Sequence, residues 1–203
     1  ITQTNNIDCF GDADGQLTGT ITGGTSTYNY DWGTTLNGTE VADVNASASL
    51  TNVQSNLVPD EYFLTVTDAN GCIARHTFTI SQPTALTAAS SNVSTNLDCF
   101  GDNDGTFTIT GSGGTTNYTY SNSTGASYNT NNDAGAFSAT NTFTALTAGV
   151  YTVRVRDGNL CTFNISVTIN QPVVLAATIT QTNNIDCFGD ADGQLTGTIT
   201  GGT

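Results

Sequence analysis

The first 25 residues, Ile1–Thr25, return unchanged at Ile179–Thr203. No other feature constrains the fold as much, because self-similarity at a fixed period marks a chain assembled from one structural unit used repeatedly. A second, diverged copy lies between them. DCFGDADG at Asp8–Gly15 becomes DCFGDNDG at Asp98–Gly105 and returns as DCFGDADG at Asp186–Gly193. GGTSTYNY at Gly23–Tyr30 aligns with GGTTNYTY at Gly113–Tyr120, and LVPDEYFLTVTDANGC at Leu57–Cys72 with LTAGVYTVRVRDGNLC at Leu146–Cys161. Gln82-Pro83 returns as Gln171-Pro172, so the unit is roughly 89 residues. The third copy matches the first and not the second, which makes a pair of units the larger period. The organisation read from this is one module over residues 1–83, a second over 84–172 and the start of a third over 173–203, with almost no linker after each Gln-Pro.

Within a unit the apolar residues alternate at period two, the signature of half-buried strands. In YTVRVR, Tyr151, Val153 and Val155 fall on one face and Thr152, Arg154 and Arg156 on the other. Turns rich in Gly, Asn and Asp separate the runs, and no segment has helical periodicity. About seven short strands in such a unit is the count of an immunoglobulin-like sandwich. Leu57-x-Pro59-x-x-Tyr62 and Leu146-x-x-Gly149-x-Tyr151 fit the tyrosine corner of that architecture. The predicted fold class is all-β, tandem immunoglobulin-like modules in a rod-like array.

Charge narrows the function. Three Lys plus Arg stand against 17 Asp plus Glu, a net charge of −14, and there is no lysine. Nucleic acid, which needs a basic footprint, is disfavoured as a partner. No apolar run approaches the roughly 20 residues of a membrane span, so membrane insertion is not expected. The sole histidine, His76, falls on the strand face of Phe78 and Ile80, which predicts a half-buried packing residue. Without further histidines or any lysine, no catalytic residues are assigned, and the chain is not expected to be an enzyme.

Five cysteines become orderly once aligned to the repeat. Each full unit has one early and one late cysteine, which predicts the disulfides Cys9–Cys72 and Cys99–Cys161, one per module. Cys187 then pairs outside the chain. Disulfides imply an oxidising compartment.

The acidic loops are candidate calcium ligands: Asp8, Asp12 and Asp14; Asp98, Asp102 and Asp104; Asp186, Asp190 and Asp192. Hard oxygen ligands on a glycine-containing loop suit Ca²⁺. The competing reading is a set of tight turns in which Asp side chains bond nearby backbone amides. Calcium is the one candidate cofactor. Tyr28, Tyr30 and Trp32 are either core residues or an aromatic platform for sugar; the core reading is favoured.

The order C-F-G-D-x-D-G, G-G-T-x-x-Y-x-Y, L-x-x-G-x-Y-x-V-x-x-x-D-x-x-x-C and a closing Q-P resembles the SprB repeat, over essentially the whole chain. Pro59-Asp60 and Leu160 depart from its usual small-Gly and Gly-Cys turns. The resemblance implies an immunoglobulin-like β-fold, export to the cell surface through type IX secretion, and a stalk role in very long adhesins of gliding Bacteroidota. The partners expected are neighbouring modules of the same chain, and beyond them surface polysaccharide or other chains in a filament. A filament or sheath subunit, and a non-catalytic carbohydrate-binding array on a secreted enzyme, are the alternative functions.

Overall fold

The computed structural model describes residues 1–35, 43–93, 97–123 and 137–203. Every regular element in them is a strand. The first repeat carries β1 (Thr2–Asn5), β2 (Gly15–Thr20), β3 (Tyr28–Gly33), β4 (Val44–Ser47), β5 (Thr51–Leu57), β6 (Glu61–Asp68) and β7 (Ile73–Thr79). They form two antiparallel sheets, ordered β1-β2-β5 and β4-β3-β6-β7. The connections β2–β3, β4–β5 and β5–β6 cross between the sheets, so the two apolar faces close on each other as a sandwich. The fourth strand pairs with the third rather than the fifth, giving a three-plus-four division.

The second repeat follows the same plan with β8 (Thr87–Ser91), β9 (Gly105–Ser112), β10 (Thr119–Ser123), β11 (Thr142–Leu146), β12 (Gly149–Arg156) and β13 (Thr162–Ile169). Its sheets are ordered β11-β9-β8 and β10-β12-β13. A single bridge, Tyr120 to Ser138, stands where β3 pairs with β4 in the first repeat. Last come β14 (Val173–Asn183) and β15 (Gln194–Gly202), an exposed antiparallel pair.

Alternation decides burial. In β12, Tyr151, Val153 and Val155 are buried while Thr152, Arg154 and Arg156 are half-exposed. The cores correspond residue by residue: Ile7, Leu17, Tyr30, Leu57, Tyr62, Leu64, Val66 and Ile80 in one, Leu97, Phe107, Tyr120, Leu146, Tyr151, Val153, Val155 and Ile169 in the other. Both tyrosine corners are made, with the Tyr62 hydroxyl donating to Val58 O at 3.0 Å and the Tyr151 hydroxyl to Thr147 O at 2.8 Å. Burial pushes the Tyr62 phenol above its ordinary range, against the lowering effect of this bond.

One core position departs from the correspondence. Trp32 is fully buried and donates its indole N–H to Asn52 Oδ1 at 2.9 Å. Gly19 makes room for it, since a Cβ there would lie 3.0 Å from the indole and 2.6 Å from Leu64. The second repeat puts Ile109, fully buried, at the Gly19 position. The two sandwiches thus fill equivalent space with different side chains.

By contacts the chain forms two compact units. One comprises Ile1–Thr87 with the turn segments Ser112–Asn117 and Asp157–Cys161; the other comprises Ala88–Gly111, Tyr118–Arg156 and Thr162–Thr203.

Candidate functional site

Two recurring pieces carry the polar chemistry, the Asp-Cys-Phe loop after the first strand and the turn after the sixth. The loop shares two hydrogen bonds in all three copies. Asp12 N donates to Cys9 O at 3.2 Å, Asp102 N to Cys99 O at 3.3 Å and Asp190 N to Cys187 O at 3.1 Å. The amides of Asp8, Asp98 and Asp186 each reach a carboxylate oxygen six residues on, at Asp14, Asp104 and Asp192, at 3.4 Å. Asp102 also accepts from Cys99 N at 3.0 Å. The glutamine of each Gln-Pro pair ties the loop down: Gly11 N donates to Gln82 Oε1 at 2.7 Å and Gly101 N to Gln171 Oε1 at 2.9 Å.

The carboxylates of Asp14, Asp102, Asp104 and Asp192 therefore cap backbone amides of their own loops. Among the described residues, no group of three or more His, Cys, Asp or Glu side chains gathers as a metal would require.

The turn after the sixth strand is organised by one carboxylate that is not among the candidates named from sequence. Asp157 Oδ1 accepts from Asn159 N at 3.0 Å and Cys161 N at 2.9 Å, and its Oδ2 accepts from Thr115 N at 2.9 Å. Asp68 does the same, with Asn70 N at 3.0 Å, Cys72 N at 2.8 Å and Thr25 N at 2.9 Å. The bond to the Thr25 amide, followed by that to Cys72, holds the Asp68 carboxyl below its ordinary range. The Gly-Gly-Thr motif now has a cause: a Cβ on Gly114 would collide with Asp157 Oδ2, so glycine lets the carboxylate reach the next amide. The recurrence of Asp, Asn and Cys in DANGC and DGNLC is the signal of this turn in the sequence.

The disulfide joins one piece to the other across the repeats. Cys9 is bonded to Cys161, with Cα atoms 5.7 Å apart at a sequence separation of 152. Asn159 Nδ2 donates to Asp8 O at 2.9 Å beside the bond. Cys72, Cys99 and Cys187 are free and exposed.

The expected pairs Cys9–Cys72 and Cys99–Cys161 are therefore not formed, for a topological reason. In an antiparallel sandwich successive connections alternate between its two ends, and five strands separate the loop after β1 from the turn after β6. The loop is held by Gln82 beyond the far end of β7, whereas Cys72 precedes the first residue of β7. Seven residues at 3.3 Å each keep the two cysteines about 20 Å apart. A disulfide spans about 6 Å between Cα atoms.

The remaining candidates also find their places. Tyr28, Tyr30 and Trp32 are buried in the core, so they present no platform to a sugar. His76 is exposed, not half-buried, with Nδ1 2.7 Å from Thr77 O. It lies on β7, the outermost strand of its sheet, where cover reaches only Phe78 and Ile80.

Residues 1–36 and 91–127 match the family model of the SprB repeat. At these two segments the chain is similar to the SprB repeat. Both matched segments contain the cysteine loop and reach the third strand of their sandwich, so the family signal lies in the elements described above.

Among curated proteins none matches the chain. Among solved structures, an amphioxus IgVJ-C2 molecule is 13% identical, with 78% of this chain and 97% of that one covered at a TM-score of 0.33. Fibronectin(III)-like modules of Clostridium thermocellum CbhA are 11% identical, with 84% and 94% covered at 0.32. The N-terminal eight Ig domains of a Down syndrome cell adhesion molecule isoform are 16% identical, with 84% and 26% covered at 0.32. The sandwich rests on the strand pairing itself, not on these likenesses. Among the described residues no helix is long and apolar enough to cross a membrane.

Proposed function

We propose that this chain is a stalk segment of a very long cell-surface adhesin of the kind used in gliding motility and surface attachment. The observation that carries the reading is the SprB repeat at the head of two successive sandwiches. Repetition supports it physically. Each sandwich buries its own core, so modules can be added to gain reach without altering those already present. A net charge of −14 keeps such surfaces apart from one another. The polar residues that recur between repeats tie loops to turns, which is architecture rather than catalysis. Export by type IX secretion and attachment at the outer membrane belong to the same proposal.

Live imaging of source cells with a fluorescent monovalent antibody fragment against residues 1–172 tests it. Labelled spots travelling along the cell surface are the expected result. Label that stays fixed, or that decorates only shed fibres, replaces the moving adhesin with a passive stalk or an extracellular filament.

A further inference from the structure

The bonded and free cysteines occupy the same local structures. Cys72 sits in a turn held by Asp68 through the same three amide bonds that Asp157 makes around Cys161. Asn70 stands where Asn159 donates to the loop carbonyl; its amide now reaches Thr25 Oγ1 at 3.0 Å. Cys99 and Cys187 sit in loops closed by the same backbone bond as the Cys9 loop. Cys72 also opens onto a groove of about 200 Å³ lined by Gly23, Gly24, Tyr28, Asp68 and Ile73.

We infer that each Asp-Cys-Phe loop closes a disulfide onto the Asp-x-Asn-x-Cys turn of another SprB repeat, the following one along the array. Cys9–Cys161 is one such joint already closed. Cys99 and Cys187 are open loop halves, and Cys72 is an open turn half. The partner of each is the complementary thiol on a repeat of this kind, supplied either further along the polypeptide or by a second copy of the chain. The recurrence of cysteine in every loop and every turn then has one explanation: the bonds form a ladder that staples successive modules, and no module is closed on itself.

The chemistry is a two-electron oxidation. Two thiols lose two protons and two electrons as the S–S bond forms, and a disulfide oxidant such as oxidised glutathione accepts them and leaves as two thiols. The inference rests on the repeat, not on the adhesin reading, so it can fail without affecting that proposal.

Two proteins test it, both folded in a glutathione redox buffer and digested with pepsin at acid pH, where thiolate exchange is suppressed. Disulfide-linked peptides are then identified by mass spectrometry. The first protein is the chain itself. The second is the chain followed by its own residues 26–83, which continues the period and completes the third repeat without a second copy of Cys99. It carries Cys72→Ser at the first position, leaving the third repeat with the only turn cysteine of that type. The expected result in the second protein is Cys99 joined to the turn cysteine of the third repeat, with loss of its alkylatable thiol. Cys9–Cys161 reports correct folding in both.

If the first protein also forms reducible oligomers through Cys72 to Cys99 or Cys187, and Cys72→Ser abolishes them, a second copy can supply the partner. If only the longer protein forms the bond, the partner is the next repeat of the same polypeptide. With Cys9–Cys161 intact, a Cys99 that stays free, or that pairs with another loop cysteine, overturns the inference.

Discussion

The turn Asp68–Cys72 and the turn Asp157–Cys161 share one hydrogen-bond scheme and have different fates. One ends in an exposed thiol, the other in a disulfide to a loop in the preceding repeat. The turn is therefore formed by its own aspartate and does not depend on the bond. At Gly71 and Leu160 the same backbone shape is reached by different means, with φ of +81° and +71°. Glycine adopts that region freely; leucine does so against the clash of its Cβ with the carbonyl.

The sandwiches that carry these turns fill their cores differently at Trp32 and at the Gly19/Ile109 position, and substitutions there should have the greatest consequences. Ile109→Gly empties a fully buried site and adds backbone freedom, costing about 4 kcal/mol. Gly19→Ile overfills the space beneath Trp32 and costs about 3 kcal/mol. In chemical denaturation each substitution shifts the unfolding transition of its own sandwich. A chain in which Gly19→Ile is tolerated without loss would show that the two core solutions are interchangeable.

The turns come next. Asp157→Ala leaves three amides without their carboxylate, and because Asp157 is only 2% exposed the cost is about 2 kcal/mol. Asp68→Ala is expected to cost less, since its amides are nearer to water. Amide exchange at Thr115, Asn159 and Cys161, compared with Thr25, Asn70 and Cys72, measures both. Equal loss of protection at the two turns would remove the distinction.

Acid tests the Asp68 turn directly. The folded Asp68 carboxyl titrates below its ordinary 3.8, so it contributes stability above that value. That contribution is lost as pH falls from 3.8 through the lower folded value. Exchange at Thr25 and Cys72 should accelerate in that window and show no such step around neutral pH.

The last and weakest change is a gain. Leu160→Gly relieves the left-handed leucine and gives up little packing, because Leu160 is 67% exposed. About 1 kcal/mol of stabilisation should follow, read from the denaturation midpoint. Destabilisation instead would mean that the leucine side chain supports the disulfide-bonded loop.

Much of this is legible in the chain. Period-two alternation places Tyr151, Val153 and Val155 inside, because burial on one sheet face selects every second residue. The tyrosine corners are readable because they need only a leucine, a turn and a tyrosine at short range. His76 misleads because alternation specifies a face, while burial depends on whether another sheet covers that part of the face. Asp68 and Asp157 are visible as repeated letters. Their role requires knowing that the turn after the sixth strand meets the connection after the second.

The repeat, the strand pattern, the two-faced packing and the presence of a cysteine in each loop and turn all follow from local spacing, and so can be read from the letters alone. Which cysteine meets which cannot, because it depends on where the folded sandwich carries each end. A disulfide requires Cα atoms within about 6 Å. Loop and turn lie at opposite ends of the same sandwich, so Cys9 bonds to Cys161 in the next repeat and not to Cys72 in its own.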